Sequence, residues 1–265
     1  AISGCAVGAA MMGMRPILEI QFSDFVVIAM DNIVNQAAKM RYMFGGKTKV
    51  PAVVRLPSGS GLGFAAQHSQ SLEAWMTHIP GLIVVQPSNP YDAKGLMISA
   101  IKNDNPVLFF EHKLLYNEKG EVPEEEFEVP IGVADVKREG TDITVVATGI
   151  MVNRSLEAAE QLEKEGISVE VIDPRTLVPL DEKTIIESVK KTNRALVVYE
   201  AVQRGGYGAE IASMIGESEA FDYLDAPVSR LGGVATPIPY NPKLERAAVP
   251  QVEDIIAKVK TIMNL

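Results

Sequence analysis

The run Leu82-Ile83-Val84-Val85 is apolar at every position, with Pro80-Gly81 before it and Pro87-Ser88-Asn89-Pro90 after it. A strand that is apolar on both faces must be covered from both sides, which is the setting of a parallel sheet. Its neighbours in the chain agree with that setting. Ile17-Leu18-Glu19-Ile20-Gln21-Phe22 alternates like a strand, and Ala52-Val53-Val54-Arg55 and Val107-Leu108-Phe109-Phe110-Glu111 are further strand-like runs. Helical spacing of apolar residues predicts helices from Phe25 to Tyr42, from Ser71 to His78 and from Asp92 to Lys102. Strands alternating with helices in this way describe a doubly wound α/β sheet.

The glycine-rich stretch Leu56 to Ser71 leaves the second of these strands, and His68 follows its alternating Gly59, Gly61 and Gly63. Glycines there let the backbone pass close to a ligand, and an α/β protein commonly presents a side chain to a cleft from such a loop. The plainer alternative is a surface loop with an ordinary histidine. The loop could also bind an anion, or serve only as a turn and cap. His78 is expected to cap or cover its helix, and His112, after Glu111 at a strand end, is a second candidate for a cleft. Ile2 to Met14 is apolar and small-residue-rich without a polar face, so it should be buried, with Gly4 and Gly8 allowing another helix to approach.

From Asn117 to Pro130 the texture becomes charged and proline-containing, around Glu124-Glu125-Glu126, as in a linker. A second α/β unit follows. Its predicted strands are Ile143–Ala147, Val169–Asp173 and Ala195–Glu200, with helices from Met151 to Lys164, from Asp181 to Lys190 and from the loop 203–208 to Ile215. The expected division is 1–116, linker 117–135, and 136–265.

Composition excludes several classes. A chain of 265 residues that is 47% hydrophobic can bury a large core. A net charge of -9 without a basic patch argues against nucleic-acid and anionic-membrane partners. The single Cys5 excludes an intrachain disulfide and a cysteine metal cluster, and points to a reducing compartment. No apolar run approaches the roughly 20 residues that cross a bilayer. The N-terminus lacks an initiator Met and a basic segment before an apolar one, so it reads as a chain joined partway along rather than as a signal peptide. There is no Gly-Lys-Ser/Thr phosphate loop, no His-Glu-x-x-His and no Gly-x-Ser-x-Gly elbow, and Gly59-x-Gly61-x-Gly63 has the wrong spacing for a dinucleotide fingerprint.

Several motifs in order carry a resemblance. They are Ala6-Val7-Gly8-Ala9-Ala10-Met11-x-Gly13-x-Arg15-Pro16, Asp31-x-Ile33-Val34-Asn35-Gln36-Ala37-Ala38-Lys39, Gln67-His68-Ser69-Gln70, Asp92-Ala93-Lys94-Gly95-Leu96 and Ile172-Asp173-Pro174-Arg175-Thr176-Leu177-x-Pro179-Leu180-Asp181. Together with Asp225-Ala226-Pro227-Val228-x-Arg230 they resemble the β subunit of thiamine-diphosphate-dependent 2-oxo acid dehydrogenase E1 components. Within that family the closest tone is that of acetoin dehydrogenase and bacterial pyruvate dehydrogenase β subunits.

The resemblance implies a pyrimidine-binding domain followed by a smaller transketolase C-terminal domain, in an α2β2 heterotetramer. The E1 α subunit would hold the diphosphate and Mg2+, and thiamine diphosphate would lie between α and β. It implies that Phe25 stacks on the pyrimidine, Gln21 lines its pocket and His68 points at the reactive thiazolium carbon. The implied activity is decarboxylation of pyruvate, or cleavage of acetoin, with transfer of the two-carbon unit to lipoamide of the E2 acyltransferase. The implied location is the cytoplasm, or the mitochondrial matrix in a eukaryote. A potassium ion is also implied, held by Ala52, Ala100, Ile101, Asn103 and Asn105, mostly through backbone oxygens at a helix end.

One departure qualifies the resemblance. The family places a cofactor-activating glutamate just before the small-residue helix, and this sequence starts at Ala1, past that point. Glu19 falls on the following strand and cannot replace it. The expectation is a piece of a longer subunit; the alternative is a non-catalytic assembly paralogue that lacks the glutamate.

Overall fold

The computed structural model describes all 265 residues. In chain order the strands are β1 (Ile17–Glu19), β2 (Val53–Ser58), β3 (Ile83–Val85), β4 (Val107–His112), β5 (Asp135–Arg138), β6 (Ile143–Ala147), β7 (Val169–Asp173), β8 (Thr176–Val178), β9 (Ala195–Val202) and β10 (Ser229–Gly233). The α-helices are α1 (Ile2–Met11), α2 (Ala38–Met43), α3 (Glu73–Thr77), α4 (Pro90–Lys102), α5 (Ile150–Glu163), α6 (Glu182–Thr192), α7 (Gly208–Glu217), α8 (Pro242–Ala248) and α9 (Val252–Ile262).

Two five-stranded sheets form, in the orders β1-β2-β4-β3-β8 and β10-β9-β6-β7-β5. Every pairing is parallel except β3 with β8 and β5 with β7. The apolar run read as a doubly covered strand is β3, and its outer neighbour is antiparallel. That neighbour, β8, comes from the part of the chain expected to form the second unit, so the first sheet is completed from across the expected boundary.

Alternation along the strands fills both faces. In the first sheet Val54, Leu56, Leu108 and Phe110 point to the side covered by residues 23–38 and Met76, while Val53, Val107 and Phe109 point to α4. In the second sheet Val145, Val171 and Val198 face α5 and α9, while Val146, Ile172, Val197 and Tyr199 face α6 and α7. At about 25 cal/mol per Å² of apolar surface, these doubly covered strands supply most of the drive to fold.

The helices differ between the units. In the second unit α6 starts where Asp181 accepts from Thr184 N–H and ends at Asn193, which takes the left-handed conformation with Lys190 and Lys191 in the last turn. In the first unit the single helix predicted from Phe25 to Tyr42 is instead a 3-10 segment (Ser23–Ala29), a π-helix (Asp31–Ala37) and α2. Its β-branched residues, such as Val26-Val27-Ile28 and Ile33-Val34, resist regular α geometry, and π turns often occur at functional sites.

Helix α1 also departs from expectation. Ser3, Val7 and Ala10 are buried on one face, while Ile2, Met11 and the adjoining Met12 are exposed. Gly4 faces the chain's own Asn32, 3.1 Å from where a Cβ would sit, whereas Gly8 has open space. Both small residues were expected on one contact face, but only Gly8 is free for a neighbour.

The charged stretch after residue 117 packs as a strap over α4. Phe127 stacks on Tyr91 with centroids 4.5 Å apart, Lys94 donates to the Glu125 carbonyl (2.9 Å), and Ser99 Oγ donates to the Val129 carbonyl (2.6 Å). No helix is long and apolar enough to cross a membrane.

Candidate active site

Strand register decides where the glycine loop begins. Ser58, the last residue of β2, pairs with His112, the last of β4. Gly59 therefore starts over the His112 ring with φ +89°, where a Cβ would fall 2.1 Å from His112 Nε2. Only glycine fits there, both for space and for backbone angle. The loop closes on itself through Gly59 N–H to the Gln70 carbonyl (3.3 Å).

Its far end is tied to the 3-10 segment. Ser23 Oγ donates to the Gln70 carbonyl (3.1 Å), and Asp24 Oδ1 accepts from both Gln70 N–H (3.1 Å) and Gln70 Nε2 (2.8 Å). This brings His68 beside the aromatic side chains of that segment. The His68 ring lies edge-to-face with Phe22 (4.7 Å) and with Phe25 (5.3 Å), and Phe64 packs edge-to-face on Phe22 (5.7 Å). Phe25 and Phe64 remain 40% and 44% exposed, so that side of the aromatic patch is open, while Lys113 Nζ lies 5.6 Å from the Phe22 ring centroid. Gln21 is exposed two residues before that segment. Of the three residues expected at the cofactor, His68 and Phe25 meet at the 3-10 segment, and Gln21 lies in the chain between β1 and that segment.

Charged groups stand behind that patch. His112 Nδ1 accepts from Leu114 N–H (3.3 Å), which leaves Nε2 to donate to Glu200 Oε2 (2.7 Å). Burial would raise the Glu200 carboxyl, but His112 and the Ser60 N–H hold it well below the usual range. Lys113 is buried and donates to the carbonyls of Gly59 and His68; burial pushes its ammonium down. Glu245 of α8 accepts from Gly61 N–H (2.7 Å) and Gly63 N–H (3.0 Å). The anion that the glycine loop was thought able to bind is therefore a carboxylate of this chain. Glu73 is buried nearby with an unpartnered oxygen, and burial pushes it up to about 7.

Sequence reading missed Lys113, Glu200 and Glu245. Glu200 lies near the carboxyl end of the apolar strand β9, where α/β proteins place functional groups, and that signal was available. Glu245 sits in a short polar helix with no distinguishing pattern. Glu19 is on β1, as expected, and pairs with Arg55 Nη1 (2.7 Å), which also makes a two-pronged bond to Glu111.

The residues expected at potassium come together, with a cation already among them. Arg15 Nη1 donates to the carbonyls of Ile101 and Asn103, both at 2.9 Å, and Nη2 donates to Asp104 (2.8 Å). The Ala100 carbonyl accepts from Asn103 N–H (3.3 Å), and that of Ala52 from Val107 N–H (2.9 Å). The Asn105 side chain accepts from Arg41 (2.6 Å). No group of three or more His, Cys, Asp or Glu side chains is placed to hold a metal.

Comparison with known proteins decides the family. Residues 1–119 match the transketolase pyrimidine binding domain and residues 132–255 match the transketolase C-terminal domain. The β subunit of acetoin:2,6-dichlorophenolindophenol oxidoreductase from Bacillus subtilis is 50% identical over 96% of this chain and 74% of its own length. The chain belongs to the transketolase-like E1 β-subunit family. The 2-oxoisovalerate dehydrogenase β subunit of Bacillus subtilis is 51% identical over 93% of this chain and 76% of its own. The pyruvate dehydrogenase E1 β subunit of Rickettsia felis is 48% identical over 98% and 79%. A solved structure described as a split-gene transketolase, an inactive β4 tetramer, shares the fold with a TM-score of 0.81 at 24% identity, covering 100% of this chain and 82% of its own.

Proposed function

We propose that the chain is the β subunit of a thiamine-diphosphate-dependent E1 oxidoreductase that works with an α subunit. The observation that carries this reading is the exposed aromatic patch, Phe25 with Phe64 and Phe22, set edge-to-face against His68. A planar apolar ring left uncovered beside a partly exposed imidazole fits a flat heteroaromatic cofactor brought in at a subunit boundary. Family membership supports the same choice, since the matched region is a pyrimidine-binding domain.

In this reading Phe25 stacks on the aminopyrimidine and Gln21 lines its edge. When bound, thiamine diphosphate supplies the electron sink for cleaving a bond next to a carbonyl. His68 holds or exchanges a proton at the substrate atoms beside it, a task suited to an imidazole near neutral pH. The diphosphate and Mg2+ belong to the α subunit. The substrate is pyruvate or acetoin, and the two-carbon unit passes to lipoamide on an E2 acyltransferase. The β-subunit relatives named for acetoin, pyruvate and 2-oxoisovalerate are similarly close, so identity alone ranks no substrate. A potassium ion at the end of α4, on Ala52, Ala100, Ile101, Asn103 and Asn105, belongs to the proposal and would share two of its carbonyls with Arg15.

The test is reconstitution with the α partner and thiamine diphosphate, assayed with pyruvate, acetoin and 2-oxoisovalerate. Lipoyl domain and an artificial electron acceptor serve as separate acceptors. Turnover with pyruvate or acetoin and reduction of lipoyl domain is the expected result. A folded, assembled α–β pair inactive with every substrate would instead point to an assembly role.

A further inference from the structure

The loop that carries His68 is held from beyond the first unit. Glu200 Oε1 accepts from Ser60 N–H (2.7 Å) and Ser71 Oγ (3.3 Å), and Glu245 accepts from Gly61 and Gly63 N–H. Both carboxylates belong to the second α/β unit. From within the first unit, Lys113 donates to the carbonyls of Gly59 and His68. All three charged residues are buried, at 8%, 3% and 6% exposure respectively.

Burying a lone carboxylate or ammonium costs several kcal/mol unless its hydrogen bonds are replaced. Here the replacements are largely loop amides and carbonyls. Gly59, Gly61 and Gly63 all take positive φ, and along this turn Ser60 N–H meets Glu200 while Gly61 and Gly63 N–H meet Glu245. The loop backbone thus lies between a buried cation, bonded to its carbonyls, and two buried anions, bonded to its N–H groups. Removing a carboxylate frees loop amides and leaves Lys113 facing fewer anions.

We propose that Glu245, Glu200 and Lys113 are positioning residues that fix His68 at the reacting centre, so that the second unit sets the geometry of a catalytic group carried by the first. This rests on the assignment of His68 to the reaction made above. Lys113 acts most directly, because one of its bonds is to the His68 carbonyl itself (3.0 Å). Glu245 acts through Gly61 and Gly63, and Glu200 through Ser60 and Ser71. Misplacing a reacting group by about 1 Å can lower a rate by about 10²-fold.

The test uses the assembled α–β enzyme carrying Glu245→Ala, Glu245→Gln or Lys113→Met, with amide hydrogen exchange and steady-state kinetics on each. Glu245→Ala should speed exchange across residues 59–71 while leaving β6 and β7 protected. It should also lower kcat about tenfold or more with KM for the 2-oxo acid little changed. Glu245→Gln keeps the shape and one acceptor oxygen, so it should recover part of both effects. If Glu245→Ala fails to fold, Glu245→Gln and Lys113→Met carry the comparison. Unchanged exchange in the loop would overturn the clamp, and faster exchange with unchanged kcat would overturn the positioning role. Exchange is read without turnover, so an enzyme inactive in every form would defeat the functional reading while the clamp is still decided.

Discussion

The two α/β units are joined at two places built from the same kinds of residue in different ways. At the glycine loop, Glu200 and Glu245 accept from backbone N–H groups of a segment with no regular structure. At the β3–β8 edge the bonds run between side chains on, or within a few residues of, regular elements. Asp92 of α4 pairs with Lys137 of β5 (2.7 Å) and with Arg175, just before β8 (3.0 Å), and Ser88 donates to Asp173 of β7 (2.5 Å). Each place holds one carboxylate down and another up. Glu200 and Asp92 are held below the usual range by their partners against the pull of burial, while burial pushes Glu73 up to about 7 and Asp173 up to about 6. The difference is in what is being fixed. The edge joins rigid pieces and should matter to stability, whereas the loop end shapes a flexible segment and should matter to chemistry.

The largest expected effect breaks the loop end at its product. His68→Ala in the assembled enzyme should lower turnover by about 10²- to 10⁴-fold, the usual range for a lost acid–base group. Thiamine diphosphate binding and melting temperature should stay nearly intact, because in the proposed function Phe25 and the α subunit supply the contacts. Titration calorimetry for the cofactor and turnover with lipoyl domain and an artificial acceptor check this. A loss confined to lipoyl domain would recast His68 as a guide for the acceptor. Full activity with both would remove it from the mechanism.

Breaking the edge should have the opposite signature. Asp92→Ala leaves the Arg175 guanidinium with only the Val133 and Ala134 carbonyls and the Lys137 ammonium with Asp135, and removing one member of a buried ion pair costs up to about 3–5 kcal/mol. A lower melting temperature is expected, with kcat per folded enzyme preserved. Intact stability together with lost kcat would erase the distinction between the two places.

How much of this was legible in the sequence follows the same division. The sheet units could be read because they rest on local patterns: the apolar β3 and β4, the capped α4 behind Asn89-Pro90, and the amphipathic α6. His68 was singled out by the glycine loop and by a motif that carries the resemblance, Phe25 by its position within that resemblance, and the structure sets their rings 5.3 Å apart. Glu245 was out of reach, because its role is a contact 184 positions away in sequence with a backbone N–H, which imposes no pattern on its own neighbours. The irregular stretch 23–43 was read as one helix because its apolar spacing is helical, while packing around the site selected 3-10 and π turns.

The raised carboxylate at the loop end gives a sharper, smaller test. Glu73 goes from its ordinary 4.5 to about 7 in the folded chain, chiefly through burial, so folding favours its protonated form. Its contribution is fully present below pH 4.5 and is lost as pH rises through about 7, a span worth on the order of 3 kcal/mol. Glu73→Gln should therefore raise stability above pH 7 and flatten the stability profile between 4.5 and 7. Denaturant melts across that range measure it; an unchanged slope would mean that Glu73 is charged in the folded protein.

The smallest expected effect lies at the end of α4. Arg15 already presents a positive charge to the Ile101 and Asn103 carbonyls, and Asp104 balances it while also pairing with Lys49. Helix-end carbonyls carry partial negative charge and each has a second lone pair, so a large, weakly hydrated ion can approach, but it must do so beside a guanidinium. Binding should therefore be weak. At an ion concentration ten times its dissociation constant the gain is only about 1.4 kcal/mol. Melting in KCl against NaCl at equal ionic strength should show a small potassium-specific rise, and Arg15→Met, which frees both carbonyls, should enlarge that rise even as it lowers stability in NaCl. Equal melting in the two salts for both proteins would leave the guanidinium as the cation of this helix end and remove potassium from the proposed site.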